Sequence, residues 1–357
     1  MPVGTLGAVK GVTPQELEAA GASIMLANLY HLALRPGIDT VEKLGGIHEF
    51  TGWRGPILTD SGGFQVWSLG GLRTVDAGGV TFRSHLDGSP LRFTPEGVVG
   101  LQERMGVDVA MMLDECPPWP VEKAVAEASW RRTLDWARRA RAAWKEGDTA
   151  LFGIVQGSAY RDLRERAAAE LIRLDFPGYA IGGVSVGEPE PGAVVAWTAP
   201  VLPADKPRYL MGVGYPADIL HAVAQGVDLF DCVLPARNAR HGVLFTREGA
   251  LKIKNARFKD DPRPLDPGCA CPACARTSRA FLHHLTRAGE LTAAVLATLH
   301  NLRFYLDFMA EVRQAIQLGA LADMASLARR TIGEEPPDGP DPGVPPVSSH
   351  PLEQRSS

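Results

Sequence analysis

Ile57-Leu58-Thr59-Asp60 is the first of six short apolar runs, each ending in a residue that can carry chemistry or let a ligand approach closely. Stretches with helical patterning separate most of the runs. Buried parallel strands read as continuous hydrophobic segments, and the catalytic groups of a (β/α)8 barrel lie at the carboxyl ends of its strands. The pattern therefore predicts an α/β fold, a (β/α)8 (TIM) barrel, with one catalytic mouth. The other five runs are Met111-Met112-Leu113-Asp114, Phe152-Gly153-Ile154-Val155-Gln156, Ala180-Ile181-Gly182-Gly183, Tyr209-Leu210-Met211-Gly212 and Leu229-Phe230-Asp231.

Helix capping is the alternative explanation for an aspartate between a strand and a helix, because its side chain accepts hydrogen bonds from the first backbone N–H groups. Capping is sufficient for any one of these aspartates. It does not explain why Asp60 opens the glycine-rich stretch Asp60-Ser61-Gly62-Gly63-Phe64-Gln65, where absent side chains let a ligand reach the backbone. The recurrence at several strand ends favours a catalytic mouth.

The composition is that of a globular protein: 357 residues, 22% charged and 45% hydrophobic. Residues 1–332 are long enough for one barrel domain, which typically needs about 250 residues. We find neither an apolar run that could span a membrane nor a secretory leader, so we expect a cytoplasmic protein. Residues 333–357 are rich in proline and poor in apolar residues, which predicts a disordered tail.

Local signals place several further elements. Thr13-Pro14-Gln15-Glu16 and Thr94-Pro95-Glu96 each join a capping residue to a proline at the first helical position, which predicts two helix starts. Residues 120–145 predict one long amphipathic helix. Residues 79–93 alternate around Asp87-Gly88, which predicts a β-hairpin added to the barrel.

A basic stripe follows the Asp231 run. Between Arg237 and Arg263 there are eight Lys or Arg residues against three acidic ones, although the net charge of the whole chain is −4. Such a stripe can contact a phosphate backbone, but most charge runs are only solvated faces. Its position next to a candidate catalytic aspartate favours a nucleic-acid contact.

A metal site is predicted by Cys269-Ala-Cys271-Pro-Ala-Cys274, in which three of the five cysteines are clustered. Cys3His is a full tetrahedral set for zinc, and a set without an open position is structural. From spacing alone, His300 competes with His283 and His284 for the fourth ligand position. We expect such a site to hold a zinc-binding subdomain at about residues 255–305.

Taken together, these motifs resemble those of the tRNA-guanine transglycosylase (queuine tRNA-ribosyltransferase) family, in its bacterial form, from residue 1 to about residue 320. Members of this family usually carry a further segment ahead of the residues that match Met1-Pro2-Val3-Gly4-Thr5, so the barrel domain is expected to be shortened at its N-terminus. The resemblance rests on the zinc cluster and on six stretches: residues 30–37 (YHLALRPG), 59–66 (TDSGGFQV), 113–116 (LDEC), 153–157 (GIVQG), 181–188 (IGGVSVGE) and 230–240 (FDCVLPARNAR).

The resemblance implies roles for individual residues. Asp231 would be the nucleophile that forms a covalent intermediate with tRNA, Asp60 the second catalytic aspartate, which transfers protons, and His300 the fourth zinc ligand. This agrees with the residue-level chemistry, because a carboxylate can trap the positive charge that develops at C1′ when a glycosidic bond breaks. The residues that bind the base would be Ser61, Phe64, Asp114, Cys116, Gln156, Gly182, Gly183, Val184 and Met211. The residues that bind tRNA would be Arg237, Arg240, Lys252 and Lys254.

The resemblance also implies the substrates. Cys116 and Val186 match the bacterial pattern, for which the incoming base is preQ1, 7-aminomethyl-7-deazaguanine, replacing guanine 34 in tRNAs with GUN anticodons (those for aspartate, asparagine, histidine and tyrosine). The expected assembly is a homodimer. Two alternatives are a noncatalytic tRNA-binding partner subunit, which the presence of both Asp60 and Asp231 disfavours, and a related enzyme acting on DNA. A zinc hydrolase is disfavoured because the metal set is full.

Overall fold

The computed structural model describes residues 1–69, 73–184, 187–188 and 190–324. Two expectations from the sequence, the role of Val186 and the disorder of residues 333–357, lie outside this range. Within it, none of the helices combines the length and the apolar character needed to cross a bilayer.

The described residues form thirteen β-strands. They are β1 Val3–Gly4, β2 Met25–Asn28, β3 Ile57–Asp60, β4 Arg73–Asp76, β5 Gly79–Arg83, β6 Pro90–Phe93, β7 Val109–Met111, β8 Ala150–Val155, β9 Gly178–Ile181, β10 Arg208–Leu210, β11 Leu229–Phe230, β12 Val243–Thr246 and β13 Gly249–Lys252.

The same residues form fourteen α-helices. They are α1 Pro14–Ala19, α2 Leu29–Leu34, α3 Ile38–Lys43, α4 Ile47–Thr51, α5 Gly63–Leu69, α6 Pro95–Met105, α7 Lys123–Ala143, α8 Arg161–Ile172, α9 Pro191–Thr198, α10 Pro216–Ala224, α11 Leu234–His241, α12 Pro272–Arg276, α13 Arg279–Ala288 and α14 Leu291–Gln317.

One sheet of eight strands forms the centre of the fold, in the order β1, β2, β3, β7, β8, β9, β10, β11. Every neighbouring pair in it is parallel. A parallel bridge between Pro2 and Cys232 joins the first strand to the last, so the sheet closes on itself. β2 and β9 are buried along their whole length, which explains why such strands read as unbroken apolar runs. The predicted (β/α)8 barrel is confirmed.

Five of the six apolar runs lie in a barrel strand over at least half of their length, whereas the run Met111-Met112-Leu113-Asp114 shares only Met111 with β7. β3 ends at Asp60 itself, and β8 and β11 end one residue before Gln156 and Asp231. β7 ends three residues before Asp114, while β9 is followed directly by the Gly182-Gly183 pair. Because the carboxyl ends of barrel strands share one rim, the structure gathers these residues at one mouth.

The predicted helix starts are confirmed at two places and one boundary is wrong. Thr13 forms a capping box with Glu16 at the start of α1, and Thr94 caps α6 by accepting from the Gly97 N–H. The long helix α7 begins at Lys123, three residues later than the sequence suggested, because the backbone is still extended at Glu122 (ψ 143°).

A three-stranded antiparallel sheet, β4 to β6, packs beside the mouth. It contains the predicted hairpin, β5 with β6, and adds β4 as a third strand. The ring of Phe82 meets that of Phe93 edge to face at 5.1 Å and lies 5.4 Å from the Tyr30 ring. A Cβ at Gly62 would lie 2.9 Å from the Phe93 ring, so this sheet presses against the loop after β3.

Buried residues of the C-terminal part of the chain form a second hydrophobic cluster, separate from the barrel core. The fully buried Asn301 on α14 connects its helices. Its amide nitrogen donates to the carbonyls of Pro235 and Val243, both at 3.0 Å, and its oxygen accepts from the Phe245 N–H at 3.0 Å. Asn301 therefore ties α14 to α11 and to β12. The cluster consists of Ala239, Leu244, Ile253, Phe258, Leu265, Cys271, Ala273, Cys274, Leu282, Leu285, Ala293 and Ala297.

Gln102 on α6 is fully buried and links a helix to two barrel strands. Its oxygen accepts from the Thr59 hydroxyl at 2.8 Å and from the Met111 N–H at 2.9 Å. Its nitrogen donates to the carbonyls of Val98 and Met111, at 3.0 and 2.9 Å. Both the oxygen and the nitrogen of the Gln102 amide thus make two hydrogen bonds each.

We predict that Gln102→Leu lowers the free energy of unfolding by about 3 kcal/mol, because Met111 and Thr59 are left with buried polar groups that lack partners. Urea titration followed by circular dichroism measures the change. The control is Gln314→Leu at an exposed position of α14, which should change stability by less than about 0.5 kcal/mol. Equal stability of the two variants would refute the role of Gln102.

Candidate active site and metal centre

Asp60 lies at the end of β3, held by the chain segment that follows β2. One carboxylate oxygen accepts from the Leu29 N–H at 3.0 Å and from the Gly62 N–H at 3.2 Å, and the other accepts from the Asn28 side chain. Asn28 also caps α2 by accepting from the His31 N–H. The short helix α2 and the glycine turn after β3 therefore fix this carboxyl group in the mouth.

Burial raises the pKa of Asp60 to about 7. The N–H groups of Leu29 and Gly62 oppose the rise, while the nearby carboxylates of Asp231 and Asp114 add to it. A carboxyl group with a pKa near 7 exchanges its proton readily at neutral pH, so Asp60 can act as both acid and base.

Asp231 follows β11 and is oriented by two donors from the neighbouring strand β10 and its loop. The Tyr209 hydroxyl donates to Oδ1 at 2.6 Å, and the Gly212 N–H donates to the same oxygen at 2.8 Å. Burial, with the adjacent Asp231 carboxylate, keeps the pKa of Tyr209 well above its usual value, so the phenol remains a donor. Among the described residues both donors fall on Oδ1, which leaves the lone pairs of Oδ2 free of these hydrogen bonds.

Asp114 is buried three residues beyond β7, where it meets groups from two other strand ends. The Ser61 hydroxyl donates to one of its oxygens at 3.0 Å, and the Gln156 amide donates to the other at 2.7 Å. Burial raises its pKa above the ordinary value. An acidic side chain flanked by hydroxyl and amide groups suits a ligand that offers several N–H donors.

The Gly182-Gly183 pair after β9 lies against Gln156, the residue that donates to Asp114. A Cβ at Gly183 would lie 2.6 Å from Gln156 Oε1 and 3.6 Å from the Cys116 sulfur, and one at Gly182 would lie 2.7 Å from Gln156 Nε2. Gly183 also has a φ of 63°, which L side chains rarely adopt. Burial raises the pKa of Cys116 to about 12, so its thiol stays neutral. Glycine is required here for both space and conformation.

The structure thus brings most of the expected base-binding residues together. Val184 is buried next to Gly183, and the Met211 N–H donates to the Ile181 carbonyl at 3.3 Å, at the rim between β9 and β10. Phe64 differs from the rest because its ring is 53% exposed at the start of α5, a position from which it can cover a planar ligand.

The expected tRNA-binding cations lie on other elements than these residues. Arg237 and Arg240 are exposed on α11, the helix that begins three residues after Asp231, and Lys252 and Lys254 are exposed on and after β13, beyond the end of α11. A cavity of about 210 Å³ beside the Asp231 loop is lined by both arginines and by Lys10, its only charged lining residues among those described. The sequence reasoning missed Lys10.

Four side chains near the C-terminus form a candidate metal site: Cys269, Cys271, Cys274 and His300, whose ligand atoms all lie within 4.8 Å of one another. His300 presents Nδ1 to the sulfurs of Cys274 and Cys271, at 3.3 and 3.6 Å, and its Nε2 lies 2.8 Å from the Phe245 carbonyl. That second contact fixes the ring so that Nδ1 is free to bind a metal ion. Three thiols and an imidazole make a closed tetrahedral set that fits a metal ion without an open position.

The rival histidines lie elsewhere. His283 Nδ1 is 2.7 Å from the Ile253 carbonyl, and His284 is exposed on α13. The structure therefore agrees with His300 as the fourth member of the cluster.

Several residues of the site carried no recognisable motif. Tyr209 reads as one more apolar position of a strand, and Arg164 on α8 reads as part of a solvated helix face, although both reach the mouth. Asn28 could have been found, because Met25–Asn28 is a short apolar run with a polar end, like the six that were noticed.

Comparison with known proteins adds independent information. The sequence profile of a family described as Queuine tRNA-ribosyltransferase matches residues 1–332. The chain is 56% identical over 319 residues to a queuine tRNA-ribosyltransferase of Desulforudis audaxviator, covering 88% of this chain and 86% of that protein. It is 52% identical over 340 residues to the protein of the same name from Thermus thermophilus, covering 94% and 88%. A Thiobacillus denitrificans relative is 54% identical over 333 residues, covering 93% and 91%.

We predict that the folded protein holds one metal ion per chain. His300→Ala should lose the ion, because only three of the four ligands then remain and the tetrahedral set is incomplete. Elemental analysis after gel filtration measures the metal-to-protein ratio. His283→Ala is the matched control and should keep a full complement. Metal loss in both variants, or in neither, would contradict the assignment.

We predict that Asp60→Asn is more stable than the wild type at pH 8 by on the order of 2 kcal/mol. This is less than the free energy that corresponds to the whole pKa shift of Asp60, because solvent screens a side chain that is partly exposed. Because the folded-state pKa of about 7 exceeds the unfolded value, the wild type loses this stability as the pH rises from about 4 to 7. Urea unfolding at pH 8 and pH 4 measures the difference, which should vanish at pH 4.

Asp76→Asn supplies the control of opposite sign. The hydrogen bond from Arg92 lowers the pKa of Asp76, so its contribution is present at pH 8 and lost on acidification. If Asp60→Asn is no more stable than the wild type at pH 8, burial of Asp60 is not destabilising its charged form.

Proposed function

The chain belongs to the queuine tRNA-ribosyltransferase family, and from that premise we propose that it exchanges guanine 34 in GUN anticodons for preQ1 through a covalent bond to Asp231. As the names of its relatives indicate, the protein is a tRNA-guanine transglycosylase, a pentosyltransferase. The observation that supports the chemistry most directly is the orientation of Asp231, whose Oδ1 takes both hydrogen bonds and leaves Oδ2 for attack.

Base recognition is proposed for the pocket around Asp114. Guanine presents N1–H and an exocyclic amine as donors and O6 as an acceptor, which suits a carboxylate opposite the donors and backbone N–H groups opposite the oxygen. Gln156 holds Asp114 from the side at 2.7 Å, and Phe64 and Met211 can cover the faces of the base. The nucleotide must leave its stack to enter, which costs least in a single-stranded anticodon loop.

The first half-reaction breaks the glycosidic bond. Oδ2 of Asp231 attacks C1′ of the ribose, the C1′–N9 bond breaks with its electron pair going to the base, and an ester between Asp231 and the ribose forms. Asp60, with its pKa near 7, supplies the proton that the departing guanine needs.

The second half-reaction restores the enzyme. The incoming base gives its N9 proton to Asp60, N9 attacks C1′, and the ester bond breaks to release the Asp231 carboxylate. The Tyr209 hydroxyl and the Gly212 N–H stabilise the carboxylate as it departs. One base enters, one leaves and the proton balance is zero, so no oxidant or energy source is required.

Phosphate contacts are proposed for the cations near Asp231. Arg237 and Arg240, with Lys10 beside them, line a cavity next to the loop that carries the nucleophile. Lys252 and Lys254 extend the positive surface along the hairpin of β12 and β13. Such contacts position an RNA backbone without reading its sequence.

A structural zinc ion and a homodimer complete the proposal. Zinc, held by the four ligands of the cysteine cluster, would fix α14, and through the Asn301 hydrogen bonds it would fix α11 with its arginines. The preference for preQ1 over queuine is proposed from Cys116, which lies in the pocket wall, together with Val186.

The proposal predicts that pure protein incorporates radiolabelled guanine into unmodified tRNA with a GUN anticodon, and that Asp231→Asn lowers the rate at least about 1,000-fold, because an amide cannot form the ester. Filter binding of labelled tRNA measures the rate, and preQ1 should chase the label out.

Two further experiments distinguish the proposed function from the two alternative functions. DNA of the same anticodon-loop sequence tests the DNA-directed enzyme, and tRNA binding without exchange would identify a noncatalytic partner subunit. Denaturing gels of mixtures quenched with acid should show a protein–RNA adduct for the wild type and none for Asp231→Asn. Full activity of Asp231→Asn would exclude the mechanism.

A further inference from the structure

Arg164 on α8 is completely buried beneath the base pocket and makes four hydrogen bonds, all to main-chain carbonyls. Its guanidinium donates to Ser158 at 2.7 Å, Val155 at 3.2 Å, Gly182 at 2.7 Å and Gly183 at 3.0 Å. The first two carbonyls belong to β8 and its loop, and the last two belong to the loop after β9. A single side chain therefore sets the backbone of two neighbouring loops of the mouth.

A cation in such a place is costly. Burial lowers the pKa of Arg164 to about 10, because the charged form loses its hydration. An apolar residue in the same space would leave the carbonyls of Ser158, Gly182 and Gly183 without this donor. What only arginine supplies is a rigid fork of donors that can hold several carbonyls at fixed angles.

The carbonyl contacts determine where the amide N–H groups point. In a trans peptide the C=O and N–H groups point in opposite directions. Because Arg164 holds the carbonyls of Gly182 and Gly183, the N–H groups of Gly183 and Val184 are directed away from the guanidinium. Gly183 has a φ of 63° and lies against Gln156 in the pocket wall. Successive N–H groups around a left-handed residue form a concave site for an electron-rich oxygen.

We infer that Arg164 is a positioning residue that turns the N–H groups of Gly183 and Val184 toward the O6 oxygen of a guanine-type base. The inference rests on the proposed function, since it assumes that the pocket around Asp114 binds the base. Arg164 does not touch the base; it acts through the two peptide groups that it holds. It thereby determines whether the site prefers an oxygen at the 6-position.

The test compares guanine with 6-thioguanine, which keeps the N1–H and the amine but replaces O6 with sulfur, a weak acceptor. Calorimetric titration gives both affinities for the wild type, Arg164→Lys and Arg164→Gln. We expect the preference for guanine to fall about ten-fold in Arg164→Gln and by less in Arg164→Lys, which keeps the charge but loses the fork. An unchanged preference would overturn the inference.

Leu171→Ala is the matched control, since Leu171 is equally buried on the same helix and does not contact these carbonyls through a polar group. It should lower the melting temperature and keep the preference for guanine. A loss of preference in Leu171→Ala as large as in Arg164→Gln would show that general loosening of α8 is responsible, and would also overturn the inference.

The wild type provides a second test that does not depend on folding of the variants. Hydrogen–deuterium exchange resolved to single amides should show that guanine protects Gly183 and Val184 more strongly than 6-thioguanine does. Equal protection by both bases, or protection of neither amide, would refute the role of the two N–H groups. Because these readouts measure binding, they remain decisive if base exchange on tRNA fails, and the two failures are distinguishable.

Discussion

Burial of carboxyl groups is the constraint on which this site depends. Asp60, Asp114 and Asp231 follow strands that share one rim, and burial raises the pKa of Asp60 and of Asp114, with the nearby carboxylates adding to the rise at Asp60. Carboxyl groups taken out of water need donors that replace the lost hydration. The hydrogen bonds that surround them are therefore a condition for the site to exist in one geometry.

The donors to each carboxyl group come largely from strands next to its own in the barrel. Asp60 on β3 takes its donors largely from the segment after β2, Asp114 after β7 takes a hydroxyl from the loop after β3, and Asp231 after β11 takes a hydroxyl from β10. Each acid is thus held by an adjacent strand end. Catalytic geometry and barrel geometry are set by the same contacts, and the loops contribute residues without having to fold independently.

The sequence predicted what depends on local pattern. The strand runs, the helix caps at Thr13 and Thr94 and the cysteine cluster were visible because their members are close in the chain or repeat with a fixed period. Partners chosen by three-dimensional packing were not visible. Tyr209 reaches Asp231 across 22 positions, and Arg164 reaches Gly183 across 19, and neither spacing carries a periodic signal. The start of α7 was predicted at residue 120 instead of Lys123, because a proline near a helix does not show at which residue the backbone becomes helical.

The bridge between Pro2 and Cys232 places the seam of the barrel one residue from the nucleophile. Closing a loop between chain positions so distant costs entropy, and pairing of the intervening strands shortens the loop that must close. The proposed nucleophile therefore lies where the two ends of the sheet meet. Its two donors come from β10 and the loop that follows, so the carboxylate of Asp231 has this orientation only in a chain whose last strands are paired.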